Sequence, residues 1–311
     1  MNEDQYREAE RALWKSVGAA PSERRVVLDR TDATVRVQEV GTGPPVVFIH
    51  GASNGGTSWA SLVAGLEGFH CIVIDRPGCG LSPRLRNGFA DMAQLGAFAD
   101  DFVVDVLDAI GIDTAHVIGT SFGGYFALRS AAAHPDRVNR LVTLSWSFGA
   151  PMESTPLVMR IATLPRLGRL ATKIRPNERM ARSILKQIGL RHAIESGRFG
   201  AIEMKWFLSL LRDTDTMRNE IDAAPRVVTM RGFNDATLLT RSVLAAVKAP
   251  AYFLWGTEDP YGGADVARAF VKNFPNAELE LMPGAGHAPW MDDIDHVTER
   301  VIAFLQADDV H

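Results

Sequence analysis

The sequence predicts an α/β fold built on a mostly parallel sheet, and two patterns carry that prediction. Short, continuous apolar runs of strand length, such as residues 45–50 and 70–75, alternate with longer segments whose apolar residues recur at helical spacing. This alternation stops near Phe148 and returns with the apolar run at 251–255. Alternating strands and helices form parallel sheets through right-handed crossovers. Each buried strand should therefore end in a loop at one edge of the sheet, where ligands bind in open α/β sheets.

The individual elements follow from composition and from breaks in the pattern. The predicted strands are residues 25–29, 34–40, 45–50, 70–75, 115–118, 140–144, 251–255 and 278–281. The predicted helices are residues 4–17, 58–66, 92–110, 122–134, 264–274 and 297–307. The first two strands flank a polar turn, as in an antiparallel pair. The expected architecture is an eight-stranded, mostly parallel sheet flanked by helices.

The pattern of strand-like and helical segments divides the chain into three expected parts. Residues 1–24 form an N-terminal helical extension, which packs on the core or on a partner. Residues 25–147 and 226–311 form the α/β core. Residues 148–225 lack strand-like runs and contain helical segments rich in Met, Leu and Arg, separated by prolines. We expect this stretch to be a helical cap, or lid, inserted after the sixth strand.

The composition argues against several classes of protein. The 311 residues are 46% hydrophobic with a net charge of −4, which gives no electrostatic reason to expect nucleic acid or a membrane as a partner. Cys71 and Cys79 are too few for a disulfide framework. The N-terminus lacks a signal peptide's apolar run, so we expect a cytoplasmic protein. No metal-ligand spacing or phosphate-binding motif appears, so neither metal nor cofactor is expected. The expected partner is a small-molecule substrate, and a homodimer is left open.

Residues 119–123 (GTSFG) place a serine at the junction of a predicted strand and a predicted helix. They fit the pattern G-x-S-x-G, in which a sharp turn forces the serine into a strained backbone conformation. Such a turn needs positions without bulk on either side, which Gly119 and Gly123 provide. It lifts Ser121 Oγ above the sheet, so Ser121 is the predicted nucleophile. The N–H of Phe122 is then one expected donor to the oxyanion of an acyl-transfer intermediate.

A serine hydroxyl is a weak nucleophile until a base takes its proton and an acid orients that base. The predicted strand at 251–255 leads into Glu258 and Asp259, two carboxylates at a carboxyl end. His287 lies in a loop of small residues after the last predicted strand. The order serine, acid, histidine is one of the known orders for a catalytic triad. From the residues alone, Glu258 and Asp259 both stay candidates for the acid.

Five motifs in sequence resemble those of the α/β-hydrolase superfamily, over nearly the whole chain. They are His50-Gly51, Asp75-x-x-Gly78-x-Gly80-x-Ser82, the turn at Ser121, Gly256-x-x-Asp259 and Gly286-His287. The resemblance implies an α/β-hydrolase fold with a lid. It also implies Ser121 as nucleophile, His287 as general base and Asp259 as the orienting acid. Ala52, which follows His-Gly, is implied as the second oxyanion-hole donor, and His50 is expected to brace that loop.

A nucleophile, a base and two N–H donors form a site for acyl transfer. We therefore expect a serine esterase that hydrolyses a carboxylic ester, or a related acyl bond, of a small to medium apolar substrate through an acyl-enzyme on Ser121. Four aromatic residues are expected to line the substrate pocket: Trp146, Phe148, Trp206 and Trp290.

Two alternatives to an esterase stay open. The pattern His50-Gly51-x-x-x-Gly55-x-x-x-Trp59 resembles the same loop in hydrolases of meta-cleavage products, which break a carbon–carbon bond with Ser, Asp and His. The second alternative is a non-catalytic receptor that binds a small ligand under the lid, although all three catalytic residue types are present.

Overall fold

The computed structural model describes residues 2–153, 160, 175–229 and 232–307. Its strands are β1 (Ser22–Leu28), β2 (Ala33–Val40), β3 (Pro45–Ile49), β4 (His70–Asp75), β5 (Ala115–Ser121), β6 (Val138–Ser147), β7 (Val228–Thr229), β8 (Gly232–Phe233), β9 (Ala251–Gly256) and β10 (Ala277–Met282). Eight of them form one sheet in the order β1-β2-β4-β3-β5-β6-β9-β10. The β1–β2 and β2–β4 pairs are antiparallel and the other pairs are parallel. The predicted eight-stranded, mostly parallel sheet is therefore confirmed.

Helices connect the strands and cover both faces of the sheet. They are α1 (Glu3–Ser16), α2 (Ala60–Gly65), α3 (Met92–Ile110), α4 (Phe122–Ala133), α5 (Glu178–Gln187), α6 (Arg191–Glu195), α7 (Ala201–Asp213), α8 (Thr216–Val227), α9 (Arg241–Ala246), α10 (Ala264–Val271), α11 (Pro289–Asp292) and α12 (Ile294–Leu305). In the described part of the chain, no helix is both long enough and apolar enough to cross a membrane.

Successive side chains of the central strands point to opposite faces of the sheet, and an apolar core lies on each face. In β3, Val47 and Ile49 join one apolar cluster, and Val46 and Phe48 join the other. Successive strand side chains point to opposite faces, so a strand covered on both sides is apolar at every position. This explains why the continuous apolar runs in the sequence located the central strands.

Two strands extend three residues beyond their predicted ends, and both extensions reach the candidate site. Strand β5 continues to Ser121 and β6 continues to Ser147, and these two residues are partners in the ladder. Small polar residues are weak strand formers, but pairing with neighbouring strands overrides that preference. Pro225 is one of the prolines expected to separate the helical segments of residues 148–225. That expectation is wrong for this residue, because Pro225 lies in the last turn of α8. The β7–β8 hairpin was not predicted.

The division into extension, core and cap stays a prediction. Helices α5 to α8 lie between β6 and β9, where the cap is expected. Residue 1 of the extension, residues 154–159 and 161–174 of the cap, and residues 230, 231 and 308–311 of the core lie outside the described residues.

The N-terminal helix α1 packs on its own chain. Its buried residues include Tyr6, Leu13 and Trp14, which join the same apolar cluster as residues of α7. It also supplies Glu10 to a buried ionic network centred on Arg36, a residue only 1% exposed. This guanidinium also contacts Asp75, at 3.0 Å. Helix α1 is therefore held by both apolar burial and buried charge.

Substituting Arg36 with methionine should destabilise the fold by about 3–5 kcal/mol, because it leaves the carboxylates of Glu10 and Asp75 buried without their cation. Urea unfolding followed by circular dichroism measures this loss. The matched control is Arg24→Met, which removes an exposed ion pair with Glu39 and should cost less than about 1 kcal/mol. Equal losses in the two variants would contradict the role given to the buried network.

Candidate active site

Ser121 occupies the predicted strained turn between β5 and α4. Its backbone has φ 52° and ψ −121°, a left-handed conformation that non-glycine residues rarely adopt. A Cβ on Gly119 would lie 2.7 Å from the carbonyl oxygen of Gly123, and a Cβ on Gly123 would lie 2.0 Å from that of Ile49. The turn therefore tolerates only glycine at both flanking positions, as its pattern predicts.

His287 and Asp259 form a buried pair. His287 Nδ1 lies 2.8 Å from Asp259 Oδ2, and the carboxylate also accepts hydrogen bonds from the N–H groups of Trp146 and Tyr261, each at 3.0 Å. Burial raises the pKa of the Asp259 carboxyl. The charge of His287 and the hydrogen bonds more than offset this effect, so the pKa lies below its ordinary value. Asp259 is therefore an ionised carboxylate at neutral pH.

The structure separates the two candidate acids. Glu258 has an exposed side chain, and its N–H donates to the carbonyl of Ala285 at 2.9 Å. Asp259 is only 4% exposed and faces the imidazole. Of the two neighbouring carboxylates, Asp259 is the one in contact with His287.

Ser145 completes this group and was missed by sequence reasoning. Its hydroxyl donates to Asp259 Oδ2, and its Oγ lies 2.9 Å from His287 Nδ1. Ser145 is fully buried and has a positive φ of 84°. It lies two residues before the end of β6, without a surrounding motif, so the sequence contains no signal for this role.

Four neighbouring strands bring these groups to one edge of the sheet. Ser121 ends β5, Ser145 lies near the end of β6, and Asp259 and His287 follow β9 and β10. Within the described residues, Ser121 Oγ makes no hydrogen bond with His287. Catalytic hydrogen bonds are often long in free enzymes and shorten when substrate binds. The lack of this hydrogen bond is therefore compatible with a catalytic role for Ser121, His287 and Asp259.

A buried histidine and arginine fix the loop after β3. His50 Nδ1 lies 2.8 Å from the carbonyl oxygen of Gly51, and His50 Nε2 accepts the N–H of Arg76 at 3.0 Å. Burial, together with the charge of Arg76, holds the pKa of His50 well below its usual value. His50 is therefore a neutral ring with its proton on Nδ1. As expected, it braces this loop.

The brace also orients the next peptide bond. The Gly51 carbonyl accepts from His50 Nδ1 and from the Arg76 guanidinium, the latter at 2.9 Å. In a planar trans peptide the following N–H points the opposite way, so the Ala52 N–H points away from these two groups. A Cβ on Gly51 would lie 3.1 Å from Ser121 Cβ, which shows how closely the loop approaches the serine. The Phe122 N–H is one of the first four N–H groups of α4, which have no partner within the helix.

Two of the four aromatic residues predicted to line the pocket lie next to His287 and Ser121. The Trp146 ring centroid is 6.4 Å from that of His287. The N–H of Phe148 donates to the carbonyl of Ser121 at 2.9 Å, and its ring is 5.1 Å from Phe122. Contact of these side chains with substrate stays a prediction.

The other two, Trp206 and Trp290, line a separate groove of about 190 Å³ beside α1 and α2. Trp290 stacks on Trp59 with ring centroids 4.5 Å apart. Trp206 lies in α7 and is only 1% exposed. The positions of Trp206 and Trp290 do not support the prediction that these two side chains contact the substrate.

The predicted cap contacts the histidine loop directly, which the sequence did not indicate. The N–H of His287 donates to the carbonyl of Gly189 at 3.3 Å, and a Cβ on Gly286 would lie 1.8 Å from that oxygen. Asp292 accepts the N–H of Gly286 at 2.8 Å and contacts His192 at 3.2 Å. The backbone around the imidazole is therefore set partly by residues 189–192.

Comparisons with known proteins identify the family to which the chain is similar. The sequence model of the Alpha/beta hydrolase family matches residues 46–302. A 2-hydroxy-6-oxononadienedioate/2-hydroxy-6-oxononatrienedioate hydrolase of Burkholderia vietnamiensis is 27% identical over 90% of this chain and 94% of its own. A 2-hydroxy-6-oxo-6-phenylhexa-2,4-dienoate hydrolase of Burkholderia cepacia is 24% identical over 87% of this chain and 91% of its own.

A solved structure shows the same fold. The 2-hydroxy-6-oxo-6-phenylhexa-2,4-dienoate hydrolase of Rhodococcus sp. strain RHA1 superposes with a TM-score of 0.74 at 20% identity, covering 93% of this chain and 99% of its own. The predicted fold, an α/β-hydrolase sheet with an insertion after the sixth strand, is confirmed.

The expectation of a carboxylic ester hydrolase is wrong. It was drawn from the serine, histidine and aspartate residues, which do not specify the bond that is cleaved. The curated relatives that match nearly the whole chain are named for hydrolysis of 2-hydroxy-6-oxo dienoates, a carbon–carbon cleavage, and not for ester hydrolysis.

Proposed function

Since the chain belongs to the alpha/beta hydrolase family, we propose that it hydrolyses a carbon–carbon bond in a 2-hydroxy-6-oxo-2,4-dienoate, a product of aromatic ring fission. The observation that carries this proposal is the set of curated relatives named for such substrates, which align over most of both chains. The loop pattern that runs from His50 through Gly55 to Trp59 resembles that of meta-cleavage hydrolases and also supports the proposal.

In this proposal, Ser121 attacks the ketone carbon C6 of the substrate, and His287 accepts the proton of the hydroxyl. The oxygen of C6 becomes an oxyanion, which the N–H groups of Ala52 and Phe122 bind. Asp259 holds the ring of His287 and stabilises the imidazolium that forms. The braced carbonyl of Gly51 supports this assignment, because it keeps the Ala52 N–H from turning.

The leaving group is a carbon, which explains why the substrate must be a dienoate. When the oxyanion collapses, the C5–C6 bond breaks and its electron pair remains on C5. In the keto tautomer of the substrate, that pair is delocalised through the C3=C4 bond onto the C2 carbonyl. His287 then returns its proton to the oxygen on C2, and a 2-hydroxypenta-2,4-dienoate leaves. Water activated by His287 hydrolyses the acyl group on Ser121 and releases a carboxylic acid.

The direct test is turnover of two dienoates that differ at C6. We expect the protein to bleach the absorbance of 2-hydroxy-6-oxo-6-phenylhexa-2,4-dienoate or 2-hydroxy-6-oxonona-2,4-dienedioate. The products should be 2-hydroxypenta-2,4-dienoate with benzoate from the first and with succinate from the second. A fluorophosphonate label on Ser121 provides the control for a competent site. Labelled protein that leaves both dienoates intact would refute the proposal.

Substituting Arg76 with lysine should lower kcat by about 10- to 100-fold and leave KM within about threefold, because it loosens the loop that carries one oxyanion donor. The Arg76 guanidinium reaches the carbonyls of both His50 and Gly51, at 3.0 and 2.9 Å, which one ammonium group cannot reproduce. Steady-state kinetics on the dienoate measure the effect. The matched control, Arg84→Lys, alters an exposed pair with Asp222 and should leave kcat unchanged. A rise in KM alone in Arg76→Lys would contradict this role.

A further inference from the structure

The hydroxyl of Ser145 lies between the acid and the base, on a strand that carries neither. Ser145 belongs to β6, whereas Asp259 follows β9 and His287 follows β10. The residue is 0% exposed and its φ of 84° is rare for a residue with a side chain. Such conformations persist only when surrounding contacts hold them, and they concentrate at functional sites.

The hydrogen bonds of Ser145 determine where the proton of the imidazole lies. A hydroxyl has one proton to donate and lone pairs to accept with. Asp259 is an ionised carboxylate with no proton, so the Ser145 hydroxyl donates its proton to Oδ2. The 2.9 Å contact between Ser145 Oγ and His287 Nδ1 is then a hydrogen bond only if Nδ1 carries the proton. The Nδ1–H of His287 is thus shared between Ser145 Oγ and Asp259 Oδ2.

We propose that Ser145 is a positioning residue that holds the proton of His287 on Nδ1 and so keeps Nε2 free to act as the base toward Ser121. It does not touch the reacting atoms. It acts by joining the carboxylate and the imidazole in one hydrogen-bonded group, in which Asp259 Oδ2 also accepts the Trp146 N–H. This inference rests on the proposed function only in using the same serine, histidine and aspartate group.

The test compares three variants by a readout that needs no natural substrate. Ser145→Ala and Ser145→Gly both remove the hydroxyl, and glycine also removes the backbone strain at φ 84°, so it keeps the fold even if alanine does not. The matched control is Thr143→Val, two positions earlier on β6, whose buried hydroxyl has no hydrogen-bond partner among the described residues. The measurements are the rate of fluorophosphonate labelling of Ser121 and the downfield NMR signal of His287 Nδ1–H.

We expect Ser145→Ala and Ser145→Gly to label Ser121 about tenfold or more slowly than the wild type, since an orienting group accounts for part of the gain from general-base catalysis. The Nδ1–H signal should broaden through faster exchange with water, and Thr143→Val should leave both readouts unchanged. A folded Ser145→Gly with wild-type labelling or an unchanged Nδ1–H signal would overturn the proposal. If the wild type labels but does not cleave dienoates, the proposed function fails and the result for Ser145 stands.

Discussion

The Ser121→Ala variant is expected to lose about 10⁴-fold or more in kcat on the dienoate, because the residual activity of such sites without their nucleophile comes from binding and the oxyanion donors alone. Alanine accepts the same backbone at φ 52° at a cost similar to that of serine, so the fold and the melting temperature should persist. Rapid-mixing kinetics with product analysis measure the loss.

Two further readouts make this prediction specific to the hydroxyl. Dienoate binding, followed by the change in its absorbance, should be retained in Ser121→Ala, because only a side-chain oxygen is removed. Fluorophosphonate labelling should be abolished. If the alanine variant keeps more than about a tenth of wild-type turnover, Ser121 is not the nucleophile and water must attack C6 directly.

The Asp259→Asn variant is expected to lose about 10³- to 10⁴-fold in kcat, with little change in KM. An amide cannot balance the imidazolium charge. Its N–H₂ can also donate to Nδ1 of His287, which moves the ring proton to Nε2 and blocks the base. The Ser145 hydroxyl would lose its anionic acceptor at the same time.

The neighbouring carboxylate is the matched control for this change. Glu258→Gln removes one negative charge next to Asp259 in sequence, but its side chain is exposed and should leave kcat within about twofold. Steady-state kinetics on both variants separate the two acids. A large loss in Glu258→Gln, together with a small one in Asp259→Asn, would reverse the assignment.

Local constraints explain which parts of the site could be predicted from sequence. The turn at Ser121 can be recognised within five residues, because the pattern shows glycine at 119 and 123, where the structure leaves no room for a side chain. The central strands were equally visible, since burial on both faces makes them continuously apolar. In both cases neighbouring residues carry the whole signal.

Long-range contacts explain what the sequence could not show. Ser145 meets Asp259 across 114 residues, and nothing near either one indicates that contact. Trp290 follows His287 closely in sequence, yet helix α11 directs its ring onto Trp59. The motifs also do not indicate which bond is cleaved, because the same nucleophile and base serve ester and carbon–carbon hydrolysis alike.

A crystal structure of the Ser121→Ala variant with a bound 2-hydroxy-6-oxo-2,4-dienoate would test the central claim most directly. We expect C6 of the dienoate to lie beside residue 121, with its oxygen within hydrogen-bond distance of the N–H groups of Ala52 and Phe122. Nε2 of His287 should face the same point. A dienoate bound with C6 away from this point, or an imidazole that faces elsewhere in the complex, would contradict it.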